Sequence, residues 1–154
     1  MEISDLISPA TVIPALKVTS KKQALQELSR LAAEITNLDE RTVFEILIER
    51  ERLGTTGVGG GVAIPHGKHP DLDRLYGLFA RLEQPVDYDS IDEQPVDLIF
   101  LLLAPEAAGA DHLKALARVS RKLRDSDTCE KLRGSESADA LYALLTDTTA
   151  INAA

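Results

Sequence analysis

Apolar residues in the first third of the chain recur with the period of an α-helix. From position 20 they share one face of a helical projection: Ala24, Leu25, Leu28, Leu31, Ala32 and Ile35. Ser20 opens this run and Gln23 follows three residues later, in the form of a capping box. A second stripe comprises Val43, Phe44, Leu47 and Ile48. The pattern predicts two amphipathic helices, the second beginning near Asp39 and ending by Gly54, a residue suited to a left-handed C-cap.

The period changes to that of β-strands after a glycine-rich segment. The stretches GVAIP, 61–65, and RLYGLFARL, 74–82, have the length and composition of short strands. Val96 to Ala104, VDLIFLLLA, is a nearly continuous apolar run bounded by Pro95 and Pro105. Such a run is typical of a strand covered on both faces, so we expect it at the centre of a sheet.

Helical spacing returns in DHLKALARVSRKLRD, 111–125, and in the shorter segments DTCEKLRG, 127–134, and SADALYALLTD, 137–147. The last residues, 148–154, are expected to fray. Helices at the two ends of the chain and strands in its middle are typical of an α/β fold. We therefore expect a single three-layer domain, residues 1–154, in which a mixed β-sheet is flanked by helices.

Composition and charge narrow the class of protein. The chain has 154 residues, 44% of them hydrophobic, and no apolar run near the roughly 20 residues that span a bilayer. Its formal net charge of −8 argues against binding of nucleic acid or of an anionic membrane, since both depend on cationic surfaces. The N-terminus does not resemble a secretory signal, and the single Cys129 cannot form an internal disulfide. We expect a cytoplasmic protein with Cys129 buried.

The glycine-rich segment Gly54 to His69, GTTGVGGGVAIPHGKH, suggests nucleotide binding, but its spacing does not support this interpretation. A P-loop has four residues between its first glycine and Gly-Lys-Ser/Thr, whereas five residues separate Gly61 from Gly67 and His69 follows Lys68. The dinucleotide fingerprint needs glycine or alanine at position 62 or 64, where this chain has valine and isoleucine.

A metal site would have to use His66, His69 and His112, the three histidines of the chain. Pro65 and Gly67 disfavour a helix through His66, so the helical spacing of paired zinc ligands does not apply. A zinc hydrolase has only weak support from the sequence.

The stretch GVAIPHGK, preceded by RERLGTTGVGG, resembles the phosphorylation-site signature of the mannitol/fructose-type enzyme IIA domains of the bacterial phosphotransferase system. The resemblance extends along nearly the whole chain, through IDEQPVDLIFLLLAP, HLKALARVSRKL and LYALLTDT in family order. Within that family the chain most resembles the nitrogen-related IIA proteins. The resemblance implies a mannitol-type IIA fold, no metal or organic cofactor, and a phosphoryl group received on histidine from an NPr/HPr-like phosphocarrier protein.

Carried over to this sequence, the resemblance implies an active site of three residues. His66 is the phosphoryl acceptor, and His112 is the second active-site histidine. The arginine at the end of the second predicted helix is Arg50, with Arg52 as a nearby alternative.

The chemistry of phosphoryl transfer suits these residue types. An accepting histidine must present one neutral ring nitrogen while the other nitrogen is held by an acceptor, so we expect Nε2 of His66 to react and a backbone carbonyl to bind Nδ1. Arg50 offers a planar fork to the phosphoryl oxygens, on which charge spreads in the transition state. Thr55, Thr56 and the amide of Gly61 are candidates for further phosphate-binding donors.

Each assignment has a structural alternative. Without the resemblance, a surface ion pair with the glutamates of its helix is the favoured interpretation of Arg50. His112 could simply pack at a helix N-terminus, and Thr55 and Thr56 could satisfy backbone groups in a turn. His69 is interpreted as a solvated loop residue.

Three functions remain open at this point. The resemblance favours a phosphorelay protein, a phosphotransferase component that is an enzyme only in a loose sense. Its phosphorylation state would be read by regulatory partners such as potassium-uptake or stress-response regulators. A soluble IIA subunit of a fructose/mannitol-type permease would instead pass the phosphate to a IIB domain. A purely regulatory binding module would keep the fold and use its unphosphorylated surface.

Overall fold

The computed structural model describes residues 1–147, so the predicted fraying of 148–154 lies outside the described residues. Within them one six-stranded sheet contains β1 (Val12–Leu16), β2 (Gly57–Gly59), β3 (Val62–Ala63), β4 (His66–His69), β5 (Tyr76–Val86) and β6 (Val96–Pro105). The helices are α1 (Lys21–Thr36), α2 (Glu40–Arg52), α3 (Ala110–Arg124), α4 (Ser126–Arg133) and α5 (Ala138–Thr146). Two short 3-10 turns, Ile3–Asp5 and Pro9–Thr11, precede β1.

The sheet is mixed, and β6 lies at its centre. The strand order is β1-β5-β6-β3-β2, with β3 and β4 pairing to successive parts of β6. β6 is antiparallel to β5 but parallel to β3 and β4, while β1 is parallel to β5 and β2 is antiparallel to β3. The prediction that Val96 to Ala104 forms a central strand is confirmed.

Side chains of β6 alternate between two hydrophobic cores, one on each face of the sheet. The odd-numbered residues from 99 to 103 pack with α1 and α2, and the even-numbered residues from 98 to 102 pack with α3, α4 and α5. All six are at most 1% exposed. Cys129 is buried in the second core, as predicted. The expected three-layer α/β arrangement is confirmed.

The ends of the first two helices differ from the sequence pattern in detail. Ser20 caps α1 by accepting a hydrogen bond from Gln23 N (3.1 Å), but the Gln23 side chain accepts from Thr19 N (2.7 Å) and so does not complete the capping box with Ser20. α2 begins after Asp39 as predicted. Its C-cap is Leu53 in a right-handed conformation, and Gly54 N still donates to a carbonyl of the last turn (3.1 Å). The C-cap is thus one residue earlier than Gly54, although Gly54 has the positive φ (+147°) that favours glycine.

The glycine-rich segment contains three short strands rather than one. GVAIP forms β3 over only two residues, β2 precedes it, and β4 follows it. The predicted strand 74–82 is longer than expected and reaches Val86. His69, expected in a solvated loop, is the last residue of β4, where its Nδ1 accepts a hydrogen bond from Asp71 N (3.0 Å).

Candidate functional site

His66 is the first residue of β4 and is fixed by the pairing of β4 with the central strand. It pairs with Leu102, whose N–H donates to the Pro65 carbonyl oxygen (3.0 Å). Gly67 follows and lies against Ile46 of α2 so closely that a Cβ there would overlap the Ile46 side chain. This small residue lets α2 approach the strand that carries the histidine.

Both ring nitrogens of His66 have partners that define its tautomer. Nδ1 is 2.8 Å from the Ile64 carbonyl oxygen, which can only accept, so Nδ1 carries the hydrogen and donates it. Arg50 Nε donates to Nε2 (3.2 Å), which requires a lone pair on that nitrogen. The half-buried imidazole therefore presents an unprotonated Nε2 to the side occupied by the guanidinium.

The surroundings of His66 favour its neutral form. Burial is the largest cause that lowers its pKa below the ordinary value of 6.5, and the positive charge of Arg50 lowers the pKa further. The hydrogen bond to Ile64 and the negative charge of Glu51 act in the opposite direction but do not reverse the shift. At neutral pH the Nε2 lone pair is available to an electrophile.

Arg50 occupies the last turn of α2 and points towards the histidine. Besides the contact to His66, its Nη1 donates to the Gly54 carbonyl oxygen (2.9 Å). The surface ion pairs of this helix join Arg41 with Glu45 and Arg52 with Glu49. Arg52, the alternative considered from sequence, is thus engaged on the exposed surface.

His112 lies in the first turn of α3, beside His66. The two ring centroids are 5.6 Å apart with an interplanar angle of 71°. His112 is only 5% exposed, and its Nε2 is buried with no hydrogen-bond partner among residues 1–147. Burial, followed by the nearby His66 and Lys68, lowers its pKa below 6.5. A buried nitrogen without a partner costs stability, which is expected where a bound group completes the site.

The two histidines and Arg50 line one open depression of about 510 Å³. Its apolar rim includes Leu53 and Leu113, which are 85% and 69% exposed. Large exposed apolar side chains beside a reactive group are typical of a surface that another macromolecule contacts.

The other predicted phosphate-binding residues do not face this depression. Thr56 is 3% exposed, with its hydroxyl bonded to Glu51 and close to Tyr88, and the Thr55 hydroxyl donates to the Tyr88 carbonyl oxygen (3.2 Å). Thr55 and Thr56 thus adopt the alternative role of holding a turn.

Gly61 is not brought to the histidine either. Its carbonyl oxygen accepts from Leu98 N (3.1 Å), four residues before the β6 partner of His66, which is about 13 Å along a strand. Arg133 and Asp97 are its close neighbours there.

Glu51 is not indicated by the motif around His66, but its side chain is only 7% exposed and its carboxylate contacts Lys21 and Thr56. The sequence does contain a pattern that indicates this residue. Val43 and Leu47 are core positions of α2, and Glu51 continues their four-residue spacing. An acidic residue at a core position of a helical stripe indicates a buried charge with specific partners.

The described part of the chain shows neither a metal site nor a membrane-spanning helix. Among residues 1–147 no group of three or more His, Cys, Asp or Glu side chains is arranged to hold a metal ion. None of the helices in that range combines the length and hydrophobicity required to cross a membrane.

Comparisons with known proteins show the family to which the chain belongs. Residues 5–148 match the family model described as phosphoenolpyruvate-dependent sugar phosphotransferase system, EIIA 2. The chain is 64% identical over 145 residues to a nitrogen regulatory protein of Bradyrhizobium diazoefficiens, covering 94% of this chain and 95% of that one.

Two solved structures of IIA proteins are similar to this one. Nitrogen regulatory protein IIA-Ntr from Neisseria meningitidis superposes with a TM-score of 0.89 at 38% identity, covering 94% of this chain and 99% of that one. IIA mannitol from Escherichia coli shares the fold, with a TM-score of 0.77 at 19% identity and coverage of 90% and 98%, which confirms the expected fold type. The chain belongs to the EIIA type 2 family of the phosphoenolpyruvate-dependent sugar phosphotransferase system.

Proposed function

We propose that this protein is a phosphorelay regulator that accepts a phosphoryl group on His66 from an NPr/HPr-like phosphocarrier protein. The observation that carries the proposal is the state of the His66 ring. Its Nδ1 donates to Ile64, and its unprotonated Nε2 faces Arg50 beside an open depression. The relatives named nitrogen regulatory protein support a regulatory role rather than a purely transport role.

In the proposed reaction the bond between phosphorus and the ring nitrogen of the carrier breaks, and its electron pair returns to the carrier's imidazole. The lone pair of His66 Nε2 forms the new bond to phosphorus. His66 keeps the hydrogen on Nδ1, so the phosphorylated ring carries a formal positive charge next to the Ile64 carbonyl oxygen. No proton has to move at His66 during the transfer.

Two neighbours stabilise the transferring group in this proposal. Arg50 moves its Nε hydrogen bond from His66 Nε2 to the phosphoryl oxygens, with which a guanidinium makes strong charge-assisted contacts. The buried Nε2 of His112, in the first turn of α3, gains the partner that it otherwise lacks. Positioning and electrostatic stabilisation account for most catalysis of phosphoryl transfer, and these two contacts would supply both.

The downstream part of the proposal is regulatory. We infer that the protein acts in the cytoplasm and that its phosphorylated and free forms bind partners differently, among them regulators of potassium uptake or stress responses. Phosphorylation changes the charge at the depression rimmed by Leu53 and Leu113, which gives a partner a direct way to distinguish the two forms.

The test is phosphorylation in a reconstituted, phosphoenolpyruvate-driven carrier chain. Wild type is expected to gain an acid-labile, base-stable phosphate, and His66→Ala is expected to gain none. His69→Ala is the matched control, because His69 lies on the same strand but is bonded to Asp71. Labelling of His66→Ala at the wild-type level would exclude the assignment.

A second measurement separates the regulatory protein from a permease subunit and from a binding module. Rapid passage of the label from His66 to an isolated IIB domain would favour the soluble IIA subunit of a fructose/mannitol-type permease. Identical partner binding by His66→Ala and His66→Asp variants would favour a binding module that ignores phosphorylation.

A further inference from the structure

A buried carboxylate lies directly behind the candidate site. Glu51 follows Arg50 on α2, and its side chain is 7% exposed. A negative charge is unfavourable in the protein interior and also at the carboxyl end of a helix, so this position needs compensating partners. Lys21, the first residue of α1, provides one, with Nζ 2.9 Å from Oε1.

The other partners of Glu51 belong to the loop that follows α2 and to the loop after β5. Thr56 N donates to Oε1 (3.0 Å), and the Thr56 hydroxyl donates to Oε2. The Tyr88 hydroxyl lies 3.1 Å from Thr56 Oγ1 and 3.5 Å from Oε2. Both carboxylate oxygens therefore hold Thr56 against the end of the helix.

Two hydrogen-bond paths lead from this loop to the reacting imidazole. The Gly54 carbonyl oxygen accepts from Arg50 Nη1 (2.9 Å), and Arg50 Nε donates to His66 Nε2 (3.2 Å). The Thr56 carbonyl oxygen accepts from Ile64 N (3.0 Å), and the Ile64 carbonyl oxygen accepts from His66 Nδ1 (2.8 Å). The conformation of the loop thus sets the orientation of both the guanidinium and the ring.

We propose that Glu51 is the positioning residue of this site: by binding Thr56, it fixes the two carbonyl groups that orient Arg50 and His66. The effect on phosphoryl transfer rests on the proposed function, whereas the effect on the imidazole does not. Glu51 contacts neither the ring nor the depression, so it acts through the loop.

The kinetic test compares Glu51→Ala with Glu45→Ala. Glu45 is on the same helix, has a 64% exposed side chain and loses the same charge, but lies outside the network. We expect the kcat of phosphoryl transfer to Glu51→Ala to fall about 10- to 100-fold with the KM for the carrier unchanged, because small displacements of reacting groups have effects of this size. A kcat within twofold of Glu45→Ala would overturn the proposal.

The spectroscopic test uses the unphosphorylated protein and ¹⁵N chemical shifts of the imidazole. Wild-type His66 is expected to show the tautomer protonated on Nδ1, and Glu51→Ala is expected to show a mixture of both tautomers. Glu51→Gln should largely restore the wild-type ratio, because its amide oxygen can accept from Thr56 N. A wild-type tautomer ratio in Glu51→Ala would overturn the proposal, since a structural role alone would leave the ring unchanged.

A milder pair of variants decides the question if Glu51→Ala does not fold. Thr56→Val removes the hydroxyl that binds Oε2 and keeps the backbone N–H, while Thr56→Ser keeps both. The proposal expects a tautomer mixture in Thr56→Val and the wild-type ratio in Thr56→Ser, and equal ratios would overturn it. If the wild type accepts no phosphate but the tautomer shifts as expected, the proposed function fails and the positioning role stands.

Discussion

Gly67 lies where the strand bearing His66 meets the helix bearing Arg50, and replacing it with alanine tests whether their separation controls the site. A Cβ on Gly67 would lie 2.2 Å from Ile46 Cγ2. Non-bonded carbon atoms approach favourably only to about 3.5–4.0 Å. The helix α2 and the strand β4 must therefore move apart by roughly 1 Å or more at this point. Ile46 cannot easily turn away because its β-branched side chain has few rotamers in a helix.

The expected cost follows from the size of this overlap. Overpacking typically destabilises by about 1–3 kcal/mol, and the lower entropy of the unfolded alanine chain offsets about 0.4–1 kcal/mol of it. We expect Gly67→Ala to lower the free energy of unfolding by roughly 1–2 kcal/mol in urea denaturation. Arg50 is four residues after Ile46 and shares its helix face, so the 3.2 Å contact to His66 should break. Phosphoryl acceptance at saturating carrier should then fall by up to about 100-fold.

A matched pair of second substitutions tests the steric cause. Ile46→Ala removes Cγ2 and should restore much of the stability and rate in the Gly67→Ala background. Ile46→Val keeps Cγ2 and should not. Equal rescue by alanine and valine, or a Gly67→Ala protein within about 0.5 kcal/mol of wild type, would refute the reasoning.

Three further predictions concern charge and position. The pKa values of His66 and His112 are lowered in the folded protein, so the unfolded chain binds protons first as the pH falls. The free energy of unfolding should therefore be at its full value above about pH 6.5 and decrease below it. Urea denaturation should show a smaller decrease in a His66→Gln/His112→Gln protein. Arg50→Lys keeps the charge but loses the Nε donor and the fork, and its transfer rate should fall about 100-fold, whereas Arg52→Lys should transfer normally in the same assay. Gly61 has a φ of +79°, and a Cβ there would overlap the Arg133 side chain. Gly61→Ala should therefore lower the free energy of unfolding by roughly 1–3 kcal/mol in urea, while the transfer rate at 25 °C stays at the wild-type value. A loss of transfer without a loss of stability would instead assign Gly61 to phosphate binding.

The elements that could be predicted from sequence are those whose signal is local. The helical stripes of α1 and α2 and the apolar run of β6 are long enough for their period to be unambiguous. The strands β2, β3 and β4 are only two to four residues long. They have no period of their own. β3 and β4 form because β6 offers a partner some 35 residues later in the chain, and β2 forms by pairing with β3.

The difference between local and long-range signals also explains which parts of the site could be predicted. The motif around His66 and the position of His112 at a helix start are visible in the sequence, but their proximity is not. β4 is parallel to β6, and α3 follows β6 directly, so the pairing of His66 with Leu102 brings the first turn of α3 beside the imidazole. Gly61 shares the glycine-rich segment with His66 but bonds to the other end of β6, a separation that the sequence alone does not show.

The charges around His66 explain how one site could hold both a free and a phosphorylated imidazole. Burial and the positive charge of Arg50 lower the pKa of the free ring, which favours its neutral form, and the same positive charge would stabilise a phosphoryl group bearing about two negative charges. Glu51 opposes both effects, yet its carboxylate is paired with Lys21 and satisfied by Thr56, and it is the weakest of the identified influences on His66. A Lys21→Met substitution would leave that carboxylate unpaired, so it should raise the pKa of His66 and slow phosphoryl acceptance near pH 6.5; NMR titration of the imidazole that showed no rise would contradict this account.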